Sequence, residues 1–396
     1  MSWLVYRLTG SALLLGAVSF ASQFPSLLMA PFAGALADRW SRYHIVLGAQ
    51  ILSMIQATVL AALVLTDVVA VWHLMVLSVV MGLINGVDIP ARQALMVRLI
   101  GDPGDLPNAI ALNSSMFNAA RLVGPAVGGV LIGLTGEGTV FVINAVSYVG
   151  VLGALSMLRV PHQPPNQVES VWRTMIDGFS YAWASTPLRD LLTLLSLFAL
   201  IGIPYVVLFP VFARDVLGGG PGTLGLLTAS AGAGSFLGAL ALASRSTVRG
   251  LGRVIARGSG LFGLTLILFA FSRNAVLSSV LLVVSGFTMI IVTASINTIL
   301  QTIVREDMRG RIMSLYTMAF VGTTPIGGLV GGAIASRVGA PVAIVLGGLG
   351  CIAISAWAYV RLPALRDLIR PIYEDLGILP EVAAGLQSVS DMRPRA

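Results

Sequence analysis

A long uncharged stretch of this sequence ends in a cluster of charges. Residues 8–37 contain no charged side chain, and Asp38, Arg39 and Arg42 then follow within five positions. Three further charges lie in or beside apolar runs, namely Asp88, Arg92 and Arg121. In a membrane helix each would cost roughly 2.5–3.5 kcal/mol on insertion scales, so each needs a partner or a water-filled cavity. The chemistry open to these residues is ion pairing, proton transfer by a desolvated carboxylate, and binding of an anionic solute.

The composition indicates that these charges do lie in a membrane protein. Of the 396 residues, 56% are hydrophobic and 10% are charged, whereas soluble domains have about 25% charged residues. Apolar runs of bilayer-spanning length recur along the chain, and they are continuous rather than alternating, which favours helices over a β-barrel. The sequence predicts an all-α polytopic membrane protein.

Several function classes are excluded by the residue types. All 24 basic residues are Arg, which excludes a Lys-bearing phosphate loop and a Schiff-base lysine. The three His are scattered, Cys351 is the single cysteine, and the spans hold no paired carboxylates or nucleophile–base set. We therefore expect no enzyme activity, no metal and no cofactor. The net charge is +7, and the Arg residues that produce it lie in short loops between the predicted spans. This pattern indicates membrane topology, and we expect no nucleic-acid partner.

Eleven membrane helices are predicted, and the Arg distribution orients them. Nineteen of the 24 Arg lie in alternate links and in the C-terminal tail, against four in the other links and at the N-terminus. We call these two sides the Arg-rich end and the Arg-poor end. The Arg-rich end, with the 38–44 link and the C-terminus, is predicted to be cytoplasmic. The predicted spans are residues 11–37, 45–66, 70–89, 107–133, 139–159, 188–212, 222–243, 254–272, 275–300, 312–335 and 340–361.

An internal repeat divides the chain into two halves. The stretch PFAGALA (31–37) resembles SFLGALA (235–241), and a Gly-rich stretch at 124–129 has a counterpart at 327–332. Two parallel halves are typical of transporters. We expect an N-terminal bundle at 1–159, a linker at 160–187, a C-terminal bundle at 188–361 and a cytoplasmic tail at 362–396. The repeat also predicts that a first helix is missing before residue 9; the alternative is a genuine eleven-span protein.

The linker itself carries an amphipathic pattern. Trp172, Ile176, Phe179 and Trp183 fall at helical spacing on one face. This favours a short helix on the inner membrane surface, with a solvated linker as the alternative.

The charge cluster resembles the signature of the major facilitator superfamily, G-x-L-A-D-R-x-G-R-[RK]. The matching residues are Gly34, Leu36, Ala37, Asp38, Arg39 and Arg42. The stretch LVGPAVGG (122–129) is similar to the superfamily's antiporter signature through Gly124, Pro125, Gly128 and Gly129; the alternative is plain helix packing, which also favours small residues. DIPARQALM (88–96), NTILQTIVREDMRGRIMSLY (297–316) and TPIGGLVGGAIA (324–335) resemble the bacterial branch of enterobactin exporters and transmembrane secretion effectors. The resemblance implies twelve helices in two pseudo-symmetric bundles, of which five and six are expected here, and alternating access driven by protons.

The resemblance suggests a role for Asp38, and the cost of burying charge suggests roles for Asp88 and Arg121. We expect Asp38 to pair with Arg92 as a latch of the outward-open state; the alternative is a static loop pair. Asp88 is a candidate proton carrier, or else it caps the helix end and partners Arg92. Arg121 is placed to hold an anionic group of a substrate, or else to bind carbonyl oxygens freed by Pro125.

The resemblance also implies that two sets of glycines form sliding contacts between the bundles. They are Gly225, Gly232, Gly234 and Gly238 in the first set and Gly327, Gly328, Gly331 and Gly332 in the second. Small residues permit this close helix approach. The function expected from these observations is export of a small amphipathic molecule, such as a drug, siderophore or secondary metabolite, by a monomer in the bacterial cytoplasmic membrane. Uptake and a transport-dead scaffold or partner subunit are the alternatives.

Overall fold

The computed structural model describes residues 1–39, 41–100, 103–158, 171–245 and 247–375. Within these ranges, the description leaves out the side chains of residues 30–39, 98, 103, 107, 111, 114, 118, 121, 171–175, 374 and 375. The regular structure of the described ranges is helical, without a strand. The α-helices are α1 (Ser2–Thr9), α2 (Ala12–Arg39), α3 (Arg42–Leu65), α4 (Val71–Leu99), α5 (Leu106–Ser156), α6 (Val171–Ala184), α7 (Thr186–Ile201), α8 (Phe209–Val211), α9 (Pro221–Ala243), α10 (Leu251–Phe271), α11 (Ala275–Ile303), α12 (Arg309–Thr317), α13 (Thr323–Val338) and α14 (Ala340–Asp375).

Ten helical segments of the described residues are long and apolar enough to cross a bilayer. One of them, Asn108–Ser156 in α5, has 49 residues and would extend roughly 74 Å at 1.5 Å per residue, more than twice a bilayer's hydrocarbon core. Gly136 interrupts it with φ 82° and ψ 168°, a conformation that glycine adopts readily because it lacks a Cβ. The break divides α5 into two spans, which makes eleven crossings and matches the predicted number.

The helices form two bundles. In the N-terminal bundle, α4 packs on α2 and α3, and α3 packs on α5; in the C-terminal bundle, α9 packs on α11, and α10 packs on α11 and α14. The bundles meet where α2 packs on α13 and where α5 packs on α9. In the sequence repeat α2 corresponds to α9 and α5 to α13. The two contacts therefore exchange under the repeat, as expected for pseudo-symmetric halves, and the predicted fold class is confirmed.

Three predicted boundaries are wrong. The helix α4 does not end at 89 but continues through Pro90 to Leu99, because a membrane helix tolerates the loss of the one backbone hydrogen bond that a proline removes. The C-terminal helix α14 continues past 361, through Pro363 and Pro371, to Asp375. The predicted 188–212 span extends over Thr186–Val216 and contains a 3-10 turn and a π turn around α8. In the linker, the predicted helix is present as α6.

Candidate functional site

Asp88 lies inside the N-terminal bundle with both carboxylate oxygens occupied. Its exposed fraction is 2%. Gln50 of α3 donates from Nε2 to Oδ1 at 3.0 Å, and the guanidinium of Arg92, one turn later on α4, donates to Oδ2. Two donors, one of them cationic, stabilise the charged carboxylate at a depth where an unpaired charge would be costly. The predicted partner Arg92 is present, but Asp88 lies eleven residues before Leu99 and does not cap the helix end.

The predicted Asp38–Arg92 pair falls partly outside the described residues, because the Asp38 side chain is not among them. Arg92 is bound to Asp88 instead. The Nε atom of Arg42, also from the signature cluster, is buried and makes no hydrogen bond among the described residues. A buried guanidinium nitrogen normally has an acceptor.

The contacts between α2 and α4 define the level of Asp38 along the bundle. A Cβ on Gly82 would lie 2.7 Å from the Ser22 carbonyl oxygen, and one on Gly86 would lie 3.0 Å from the Cα of Ser26. Both contacts join residues sixty positions apart on two helices that run in the same direction. Continued along the helices, this register brings position 38 level with position 98, about 9 Å beyond position 92 at 1.5 Å per residue. The observed length of α4 therefore includes position 98, which the predicted end at 89 had left out, and its side chain, like that of Asp38, lies outside the described ones.

The antiporter-like motif divides between two faces of α5. Gly129 contacts α9 so closely that a Cβ would lie 2.7 Å from the Pro221 carbonyl oxygen and 2.9 Å from the Cα of Gly225. A Cβ on Gly225 would in turn lie 2.6 Å from the Pro125 carbonyl oxygen. In contrast, a Cβ on Gly124 or Gly128 would meet no atom within 4 Å. The side chain of Arg121, the predicted substrate residue, lies outside the described side chains.

Two of the predicted interface glycines form a second close contact between the bundles. A Cβ on Gly332 would lie 2.5 Å from the Ala12 carbonyl oxygen, and one on Gly16 would lie 2.6 Å from the Gly328 carbonyl oxygen. We call this contact and the Gly129–Gly225 contact the glycine seats. Both join the bundles near the Arg-poor end, in backbone-to-backbone packing that only glycine allows.

Other glycines of the two predicted sets do not lie between the bundles. Gly234 and Gly238 pack on Val283 and Phe287 of α11, whereas Gly327 and Gly331 pack on Leu200 and Pro204. All of these contacts are within the C-terminal bundle. The predicted role of Gly234, Gly238, Gly327 and Gly331 as sliding contacts is therefore wrong, while no close contact of Gly232 is described. The helical period explains the error: nine residues separate Gly225 from Gly234, which puts them about 180° apart around α9.

The Arg-poor end also carries polar contacts that sequence reasoning missed. Arg7 of α1 donates from Nε to Glu137 Oε1 at 2.9 Å, with a second contact from NH2 to Oε2 at 2.7 Å. The adjacent Tyr6 donates its hydroxyl hydrogen to the carboxylate of Asp215, and the Arg214 guanidinium lies 5.9 Å from the Tyr6 ring centroid. Burial and the Asp215 hydrogen bond raise the pKa of the Tyr6 phenol far above its usual value, so it remains a donor at physiological pH.

At the Arg-rich end, α6 is attached to the C-terminal bundle. Arg311 NH1 lies 3.3 Å from Asp177 Oδ2. Phe179 and Trp183 stack at 5.2 Å on the opposite, exposed side. The structure therefore gives α6 the amphipathic character predicted for it, with Trp172 outside the described side chains.

Comparison with known proteins identifies the family of this two-bundle fold. The family model described as transmembrane secretion effector matches residues 1–371. The chain belongs to this family of major facilitator transporters. Secretion effector relatives include the multidrug efflux pump Tap of Mycolicibacterium fortuitum, which is 26% identical over 92% of this chain and 91% of its own length. The macrolide efflux protein A of Streptococcus pyogenes is 25% identical over 87% of both chains. The staphyloferrin A transporter of Staphylococcus aureus is 24% identical over 83% of both.

Solved structures agree on the fold. A bacterial homologue of the lysosomal transporter Spinster, in an inward-facing and occupied conformation, has a TM-score of 0.72 at 14% identity over 91% of both chains. The nucleoside transporter NupG has a TM-score of 0.67 at 16% identity over 93% of both. The family match, together with the ten candidate spans of the described residues, makes the chain a multi-span membrane transporter.

Proposed function

We propose that this chain is a proton-driven exporter of small amphipathic molecules, with drugs or siderophores as the substrate class. The family assignment covers 371 residues, and efflux proteins are among the relatives that match over most of both lengths. The Arg-rich end faces the cytoplasm in this proposal, as the positive-inside rule favours.

The observation that carries the proposal is the position of the glycine seats. The close cross-bundle contacts of the described residues begin near Ala12 at the Arg-poor end and reach Leu27, where a Cβ on Gly322 would lie 3.0 Å from Leu27 Cδ2. That is roughly 22 Å along α2. Closure over this depth favours a state that takes up substrate from the Arg-rich, cytoplasmic side. Separation of the bundles at the glycine seats would then open the Arg-poor side for release.

The substrate would bind along the face of α5 that carries Arg121. Gly124 and Gly128 lie on the part of α5 that has open space beside it. An Arg on this helix supplies a cation with planar, multidentate donors. The proposed role of Arg121 is therefore to bind an anionic or strongly polar group, while the apolar walls bind the rest of the molecule.

The proton would bind at Asp88. In this state Gln50 and Arg92 both donate to the Asp88 carboxylate. If Arg92 moves away during rocking, Asp88 becomes an unpaired buried charge, which a proton neutralises. The latch proposed for Asp38 offers a reason for that movement, because Asp38 would compete for Arg92 or pair with Arg98 when the Arg-rich end closes.

Energised efflux tests the proposal directly. Cells lacking their own drug pumps are loaded with a macrolide or a cationic dye, and the outward rate is measured with and without a proton uncoupler. We expect efflux that stops with the uncoupler and falls strongly in Arg121→Ala but not in Arg273→Ala, a matched change in an exposed loop. Accumulation in energised cells would mean uptake, and no movement by a correctly inserted chain would favour a scaffold role.

A further inference from the structure

The short helix α1 lies at the Arg-poor end, where it contacts residues of both bundles. Trp3, Leu4, Val5 and Tyr6 are buried, and Gly10, with φ 59°, ends the helix just before α2 begins. Because two residues separate α1 from α2, α1 moves with the N-terminal bundle. Its side chains nevertheless reach a residue of the C-terminal bundle.

Two neighbouring residues of α1 contact different bundles. Arg7 binds Glu137 in a two-point ion pair, and Glu137 follows the α5 break at Gly136, so this contact stays within the N-terminal bundle. Tyr6 binds Asp215, which ends the first span of the C-terminal bundle, so this contact crosses between the bundles. The carboxylate of Glu137 is 9% exposed. Arg7–Glu137 therefore fixes α1 to its own bundle, while Tyr6–Asp215 is free to break when the bundles separate.

We propose that Tyr6 and Asp215 form the gate of the Arg-poor end, and that their hydrogen bond must break before the transporter opens on that side. This assignment rests on the proposed function, because a gate serves an alternating-access cycle. The glycine seats provide close packing beside the gate, but they have no polar group that could be exchanged during opening. The hydrogen bond is directional and charge-assisted, and the Arg214 cation beside the Tyr6 ring adds a cation–π contact to the closed state.

Distance measurements between spin labels test the gate without any transported substrate. Val68 and Arg273 lie in exposed loops at the Arg-poor end, one in each bundle, and the buried Cys351 is replaced by alanine to leave only the two introduced cysteines. We expect Tyr6→Phe to raise the ratio of long to short distances by a factor of about 10–150, the loss of one charge-assisted hydrogen bond. Asp215→Ala should give a similar shift, and the double variant should add little to either single change.

Two controls separate the gate from general destabilisation. Tyr181→Phe makes the same chemical change at the Arg-rich end, where Tyr181 lies beside Arg305, and should leave the distances unchanged. Asp215→Asn retains an acceptor for Tyr6 and should shift the ratio less than Asp215→Ala. Unchanged distances in both Tyr6→Phe and Asp215→Ala, in protein that remains folded, would overturn the proposal. Because the readout needs no substrate, a failed gate and a failed export function are distinguishable.

Discussion

A methyl group at Gly129 should shift the transporter toward opening at the Arg-poor end, whereas the same change at Gly128 should not. The new Cβ of Gly129→Ala would lie 2.7 Å from the Pro221 carbonyl oxygen and 2.9 Å from the Cα of Gly225. Ordinary contacts begin at 3.4 Å, and both obstructing atoms are backbone. The bundles must therefore separate at this seat by several tenths of an ångström, or the closed state must bear the overlap.

The size of the shift follows from the cost of overpacking. Extra methyl groups in tight packing cost about 1–3 kcal/mol. Only the closed state contains this contact, so the open-to-closed ratio should rise by a factor of about 5–150. Gly128→Ala places its Cβ where no atom lies within 4 Å, and the ratio should then remain within about twofold of the wild-type value.

The distance assay with labels at positions 68 and 273 measures this ratio. Efflux rates of the two variants, measured in the same cells as wild type, show whether the shift reaches the transport cycle. Equal distance distributions in Gly129→Ala and Gly128→Ala would refute the reasoning, because the two variants differ only in which face of α5 carries the methyl group. A large loss of thermal stability in Gly129→Ala alone would assign the contact to folding rather than to gating.

Three further changes should separate stability from transport. Gly234→Ala places its Cβ 1.9 Å from the Val283 carbonyl oxygen inside one bundle, and it should lower the melting temperature while leaving the label distances unchanged. Asp88→Asn removes the proposed proton site and should flatten the pH profile of efflux in membrane vesicles; a profile that still follows wild type would exclude Asp88. Arg7→Met leaves the buried Glu137 unpaired and should cost about 1–3 kcal/mol, seen as a lower melting temperature that Glu137→Gln partly restores; no loss of stability would contradict the anchoring role of this pair.

The fold was predictable because the bilayer restricts the choices. Continuous apolar runs must become helices where no water satisfies the backbone, and the repeat at 31–37 and 235–241 already indicated two bundles. The end of α4 was not predictable from a proline rule learned on soluble helices, since the helix continues through Pro90. That error moved the expected inner end of α4 from Arg98 to Arg92.

The candidate site was predictable only where its partners lie close in sequence. Asp88 and Arg92 are one helical turn apart, and their pairing follows from that spacing. Gln50 is uncharged and 38 positions from Asp88, and Tyr6 is 209 positions from Asp215, so nothing local indicates either contact. The glycines are an intermediate case. Gly327 and Gly331 share one face of α13, and Gly328 and Gly332 share another face about 100° away. This difference in angle could have distinguished the glycines between the bundles from those inside one bundle.

The ion pair of Asp88 and Arg92 encloses the proline of α4. Pro90 lies between its two members, and a proline inside a helix removes one backbone hydrogen bond and makes that turn a site of kinking. The salt bridge links the parts of α4 on either side of Pro90 and resists bending between them. A proton on Asp88 would break this link. In the proposed cycle, the protonation that neutralises the charge of Asp88 would therefore also make a long helix easier to bend at a defined point.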